Sequence, residues 1–296
     1  MITALATAEQ NAADAAVRKI LNTNTKLEKH PSGVAVVVRG VSMAPSKRSG
    51  VVNVCPDATA ACIAACCLWF AGRTVSAGVR AAAIARTMLW FLWPERFLAR
   101  LHAEIVGAAA LASVDGARLF VRLNAASDIA WPLEFIASLP CTCYDYTKNV
   151  GRALANARGE HPDNYSVSLS VHEHSTFDDI AAMLADGGNV VVVFDTVYSP
   201  GGSAPRFGTL PERVAFTSPD GRRVVVPTVD GDLSDIRSSE FDGSGVAVCL
   251  RLKGTNASKA TAIKAGFARP WSLGTRDHST VGEYPTARGT AVVRLA

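Results

Sequence analysis

The sequence predicts an α/β fold built on parallel strands, arranged as a partial or closed (β/α) barrel of TIM type. Three observations carry this. Short Val-rich runs bounded by Gly, Asn, Asp or Pro recur along the chain. Several are apolar almost throughout, as strands buried on both faces of a parallel sheet require. Capped segments of helical period lie between many of them, and that alternation is the pattern of a parallel α/β protein.

Taken in order, the first segment, "MITALATAEQNAADAAVRKIL", is Ala-rich and contains acids. It reads as an N-terminal helical arm over residues 1–20, not as a secretory signal. The barrel-like domain is placed at 21–269. Its strand candidates are "GVAVVVRG" (33–40), "RLFVRL" (118–123), "CTCYDYT" (141–147), "YSVSLSV" (165–171), "NVVVVF" (189–194), "RVVVPTV" (223–229) and "GVAVCLRL" (245–252). The segment 76–90 puts Val79, Ile84, Met88 and Leu89 on one broad helical face. The segment 94–112 opens with Pro94 in a first-turn position and Glu95 beside it. "WPLEFIASL" (131–139) is a short helix. Residues 175–188 have Ser175 or Thr176 as a cap, acids in the first turn and Gly at the end. Residues 256–267 form the last clear helix. The Gly/Pro-rich stretch 199–222 reads as a long surface excursion, and 270–296 as an irregular tail.

A chain of 296 residues can bury a core without disulfide or metal staples. Its 49% hydrophobic and 19% charged residues exclude a disordered chain. The net charge of +4 permits a nucleic-acid partner without requiring one. No uninterrupted apolar run reaches the ~18 residues of a membrane span; Arg86, Arg96 and Arg100 break the longest stretches. The expectation is therefore a cytoplasmic protein with no membrane partner. Oligomeric state leaves no signal.

"VCPDATAACIAACCLWFAG" (54–72) sets Cys55, Cys62, Cys66 and Cys67 in the pattern C-x6-C-x3-C-C. In a reducing compartment dense cysteines favour metal binding or reactivity over disulfides. Three thiolates in a loop between a short strand and a helix suit an iron–sulfur cluster held at three irons, the fourth left open. Cys55, Cys62 and Cys66 are the expected ligands. Cys66 is preferred to Cys67 by spacing, since adjacent helical residues point apart. The competing reading is an inert seam of small residues, because Ala60, Ala61, Ala64 and Ala65 surround these thiols. Cys141 and Cys143 form a C-x-C pair, less usual for zinc, and Cys249 reads as core.

In α/β barrels chemistry gathers where strands end. That rule selects Asn124, Ser127 and Asp128, then Tyr144, Asp145, Tyr146, Thr147 and Lys148, then His172, Glu173 and His174, then Asp230, Asp232 and Asp235, and finally Lys253. Each has a plainer reading. Asp128 suits a helix cap, "VDGD" is a turn signature, and Lys148 suits a solvated loop. His172 and His174 resemble a divalent-metal pair without a third ligand. Tyr144 and Tyr146 share a strand face. With Lys148 and Arg152 nearby, they suit a tyrosine nucleophile attacking a DNA phosphate, the metal held by His172, His174 or the aspartates at 230–235.

The order "NTNTKLEK", "SGVVNVCPDATAACIAACC", "FVRLNAASDIAW", "YDYTKN" and "VDGDLSDIR…GVAVCLRLKG" resembles the phage gene-product-88-like family, from about Leu21 to Phe267. A weaker likeness runs to phage proteins considered radical-SAM-like, with a three-cysteine loop and strands ending in Ser-Asp and Thr-Lys. The cysteine gaps here are longer than C-x3-C-x2-C, and "NAASD" stands in place of Gly-Gly-Glu. The second likeness implies a [4Fe-4S] cluster on Cys55, Cys62 and Cys66 with S-adenosylmethionine on the open iron. The expected function is an iron–sulfur enzyme of that type acting on nucleic acid or a nucleotide, in the host cytoplasm if phage-encoded. Asp128, Asp145, Tyr144, Tyr146 and Lys148 are its expected catalytic residues. Arg122, Asn124, Ser127, Asp230, Asp232 and Lys253 are its expected substrate-binding residues. The alternative is a cluster-free DNA replication or modification enzyme using a divalent metal ion, which nicks through a tyrosine or exchanges bases as a transglycosylase through Asp128 or Asp145. A plain nucleic-acid-binding protein is the third class.

Overall fold

Each run named above becomes a strand, because β-branched and aromatic side chains fit a pleated surface; most of these strands are largely buried, whereas the run at 223–229 buries only Val226. The computed structural model describes residues 11–12, 14–24, 27–29, 33–70, 75–199, 206–207, 210–253, 256–269, 271 and 290–295. They fall into two compact units. The first holds Met1–Ala58, Cys67–Asp145 and His161–Ser166; the second holds Thr59–Cys66, Tyr146–Glu160 and Val167–Ala296.

In the first unit β1 (Leu21–Asn22) lies antiparallel to β2 (Val36–Val41). Strand β2 is parallel to β3 (Arg118–Arg122), and β3 to β4 (Thr142–Thr147), whose residues through Asp145 belong here. Two helices connect β2 to β3, α1 (Ala77–Leu92) and α2 (Pro94–Val114). Trp93 alone joins them: its N–H donates to the Leu89 carbonyl at 3.0 Å and its carbonyl accepts from Phe97 N–H at 3.0 Å. Pro94 loses nothing by lacking a donor, because the first-turn N–H groups of a helix have no internal partner. Helix α2 buries Phe97, Leu101 and Ile105, each contributing about 2 kcal/mol. The three follow one another at four-residue steps, on one helical face. Residues 11–12 and 14–16 are helical; the rest of the predicted arm before them lies outside the described residues. Arg96 and Arg100 of α2 hold Asp14 at 2.7 and 3.0 Å, and Glu104 accepts the Ile20 and Leu21 amides, both at 2.9 Å. By length and composition α2 also qualifies as a membrane span, with mean hydropathy 1.4 over its best stretch. Arg96 and Arg100 interrupt this apolar stretch near its start. Short helix α3 (Leu133–Ala137) buries Phe135 and Ile136.

The second unit contains the end of β5 (Tyr165–Ser170), β6 (Val190–Ser199), β7 (Arg206–Phe207), β8 (Arg213–Thr217), β9 (Arg223–Asp230), β10 (Ala247–Leu252) and β11 (Thr290–Arg294). Its strand order is β5-β6-β10-β9-β8-β11, with β7 on β6. Strands β5, β6, β10 and β9 are mutually parallel, and β9 turns antiparallel to β8. Helices α4 (Val150–Ala157), α5 (Phe177–Ala185), α6 (Ser239–Asp242) and α7 (Asn256–Lys264) accompany them. Thr176 caps α5, accepting from Asp179 N–H. Gly231 sits so close to β10 that a Cβ there would lie 2.6 Å from Val248 Cγ1 and 3.3 Å from the Cys249 carbonyl.

The fold is mixed α/β, and the barrel expectation is corrected in its closed form. Among the described residues, the strand order of each unit runs from one end strand to another without closing. The antiparallel pairs β1–β2 and β8–β9 also break the all-parallel crossover pattern that a (β/α) barrel repeats. The surface excursion contains β8, whose Val214, Ala215 and Phe216 are fully buried. The irregular tail ends in β11, parallel to β8; residues 272–289 lie outside the described ones.

Candidate functional site

In the first unit the ends of β3 and β4 are joined by a buried polar lock. Asp145 Oδ1 accepts the Asn124 backbone N–H at 2.5 Å. Its Oδ2 accepts Asn124 Nδ2 at 2.9 Å and the Tyr165 hydroxyl at 2.7 Å. Asn124 Oδ1 in turn accepts Ser127 Oγ at 2.7 Å and Ile129 N–H at 3.2 Å. A buried carboxylate is tolerated only with such donors around it. The structure thus brings together Asn124, Ser127 and Asp145, and occupies them with one another. Asp128 does not cap a helix: its N–H donates to the Val54 carbonyl at 2.8 Å, and α3 starts later without a side-chain cap. Arg122 is buried and Tyr144 completely so, which leaves the Tyr144 hydroxyl out of reach of a DNA phosphate in this conformation.

In the second unit, two groups lie where strands end. At the ends of β9 and β10, Arg251 grips Asp230 with both terminal nitrogens, at 2.8 and 2.9 Å. Asp232 Oδ2 accepts the Arg251 amide at 3.0 Å, and Lys253 Nζ reaches Asp232 Oδ1 at 2.5 Å. Burial pushes the Asp232 carboxyl up, but Lys253 and Arg251 outweigh it, so it titrates below the ordinary 3.8. Beside this, Arg237 is fully buried and bonded to Asp242 Oδ1 at 2.6 Å. Its guanidinium is lowered by burial and raised more by Tyr146, Asp242 and Asp235. Tyr146 is therefore engaged inside the unit.

The second group is cationic. Lys148 follows β4 and lies 5.9 Å from the Phe267 ring. His172 and His174 follow β5, with ring centroids 6.1 Å apart. Arg269 Nη2 donates to the His172 carbonyl at 2.8 Å, while its buried Nε has no hydrogen-bond partner among the described residues. The His172 pKa is lowered below 6.5 by burial and then by Lys148, with His174 and Arg269 adding and Glu173 opposing. Its Nδ1 accepts the His174 amide at 3.2 Å, which places the proton of the neutral ring on Nε2.

Glu173 faces the cysteine segment, its Oε1 accepting the Ala61 amide at 3.3 Å. Cys62–Cys66 forms a π-helix turn packed on α7. The Cys66 side chain lies outside the described residues. In the first unit Cys55 Sγ accepts the Ser46 amide at 3.2 Å and, as a donor, lies 3.8 Å from the Ala126 carbonyl. Among the described residues no group of three or more His, Cys, Asp or Glu is placed to hold a metal ion. The described side chains by themselves supply no three-thiolate set for an iron–sulfur cluster. Cys67 packs with Ala44, Trp69 and Ala83. Cys143 and Cys249 are buried.

Arg237, Arg251 and Arg269 are the residues that sequence reasoning passed over. Arg251 carried a signal, since an arginine inside the apolar run "VAVCLRL" needs a buried partner.

These features define a mixed α/β protein with charged groups clustered where parallel strands end. The chain belongs to the gene product 88 family, a phage protein family whose model matches residues 12–269. No curated protein matches the sequence, and no solved structure matches it.

Proposed function

We propose that the protein acts on a phosphate-bearing substrate, a nucleotide or nucleic acid, received by Lys148, His172 and Arg269 of the second unit. The supporting observation is the gathering of Lys148 and Arg269 around a neutral imidazole, beside Glu173. Like charges kept together repel, and an anion resolves the repulsion. Strand ends in open α/β sheets are also where ligands sit. His172 acts as a neutral Nε2–H donor to a phosphate or leaving oxygen, because its Nδ1 lone pair is committed to the His174 amide. Lys148 supplies the point charge, and the Arg269 Nε–H a second donor. Asp230, Asp232, Arg251 and Lys253 form the adjoining wall. The test is thermal stabilisation by a panel of nucleoside mono-, di- and triphosphates. The expected result is saturable stabilisation that weakens with salt and is lost in Lys148→Ala. A panel that leaves the wild type unmoved, or a Lys148→Ala variant that keeps the full shift, overturns the proposal.

A further inference from the structure

The loop that begins after β2 is held by both of its ends. Ser46 adopts φ +53°, a left-handed conformation that non-glycine residues rarely take and that marks strain. Its N–H is bound to Cys55 Sγ at 3.2 Å, and its carbonyl accepts Val54 N–H at 3.2 Å. Inside that clasp, Arg48 N–H donates to Pro45 and Gly50 N–H to Lys47, at 3.2 and 3.0 Å. The strained, clasped loop exposes Lys47 and Arg48.

What faces the loop is aromatic. The 3-10 turn Leu68–Phe70 presents two successive rings. Trp69 is buried against Ala44 and Ala83, and the Arg80 guanidinium lies 5.0 Å from its ring centroid while donating to the Trp69 carbonyl at 3.1 Å. Phe70 is 45% exposed, with the Arg48 guanidinium 4.9 Å from its centroid. A large ring left open to water beside a guanidinium, next to a companion that is packed, offers a face on which a planar ligand can stack.

Charge is concentrated in the same part of the chain. Between residues 29 and 94 stand seven Lys and Arg and a single acid, Asp57, although the whole chain carries only +4. Apart from the uncharged Thr59–Cys66, all of this segment belongs to the first unit.

From the open ring, the stacked guanidinium and the one-sided charge, we infer that Lys47, Arg48 and Phe70 form a binding platform for single-stranded nucleic acid. Unpaired bases stack on Phe70, and Lys47 and Arg48 take the flanking phosphates. Every base offers a π-face, so the platform is sequence-tolerant; a duplex offers no free face and is excluded. The surface is independent of the site around Lys148 and stands whether or not that site binds nucleotides.

Fluorescence anisotropy of a labelled oligothymidylate of about 20 nucleotides tests this, in wild type and in a Lys148→Ala background. Saturable binding is expected in both, which keeps it separate from the second-unit site. Phe70→Ala is expected to weaken binding about ten-fold, and Phe70→Tyr to restore it. Lys47→Gln and Arg48→Gln should each lower the slope of log affinity against log salt by about 0.7. Lys47 is exposed, so its variant also answers if Phe70→Ala fails to fold. The inference is overturned if the wild type shows no saturable binding, if the Phe70 and Lys47 variants bind as wild type does, or if a duplex of equal length binds as tightly.

Discussion

Asp145 illustrates how a residue chosen for its chemistry can be spent on architecture. Its oxygens accept the Asn124 amide, the Asn124 side chain and the Tyr165 hydroxyl, with no solvent exposure. Asp145→Asn turns an acceptor into a donor facing donors. The expected loss is about 3 kcal/mol in urea unfolding, whereas Tyr165→Phe, which removes one donor, should cost about 1.5 kcal/mol. Equal, near-zero effects would show that the lock contributes nothing. His172 makes a second prediction. Its folded pKa lies below 6.5, so the folded state binds the proton less readily than the unfolded chain. The resulting stability is present above pH 6.5 and is lost as pH falls through the lower folded value. Melting temperature against pH should show this loss in wild type and not in His172→Gln. An NMR titration giving His172 an ordinary pKa would contradict it.

Among elements, those with a local signature were legible and those made by distant partners were not. Strands β2 to β6, β9 and β10 and helices α1, α2, α3, α5 and α7 stand where periodicity and caps place them. Helix α4 has a weak signature because "NVGRALANA" is short and carries Val and Gly in its first turn; its start signal is Asn149, whose side chain accepts Arg152 N–H at 2.8 Å. Strand β8 was hidden because "RVAFT" lies between turn-forming clusters, and its three buried residues acquire meaning only from β9 and β11. The site behaved likewise. Strand ends pointed to Asn124, Asp145, Asp230, Asp232 and Lys253, but their partners Tyr165 and Arg251 lie about 20 residues away, where no spacing rule reaches. Gly231 belongs at this scale too. The sequence marks it as a turn residue, and the structure makes it a contact with β10. Gly231→Ala should cost about 2 kcal/mol by overpacking, and Val248→Ala should relieve part of that loss in a double-mutant cycle. Strict additivity would refute the contact.

For the whole molecule, several carboxyls pull stability in one direction with pH. Asp14 is lowered chiefly by Arg96; Asp232 and Glu173 are lowered because their donors and cations outweigh burial. Each contributes stability present above its ordinary value, near 3.8 for the aspartates and 4.5 for Glu173, and lost as pH falls through the lower folded value. Asp242, raised by burial, acts in the opposite sense. The net expectation is a steep loss of stability in acid, reduced in Asp232→Asn; a flat acid limb in wild type would count against it.

The strand order of the second unit also has a consequence for how the chain is made. Strand β10 sits between β6 and β9, yet it is synthesised after both. Until residue 252 has left the ribosome, β6 and β9 each keep a Val-rich edge unpaired, and the β8–β9 hairpin has nothing to dock on. Such edges recruit other chains. Nascent chains halted between β9 and β10 should therefore engage chaperones or aggregate, and those released just beyond Leu252, with only the β8 edge still waiting for β11, should do so less.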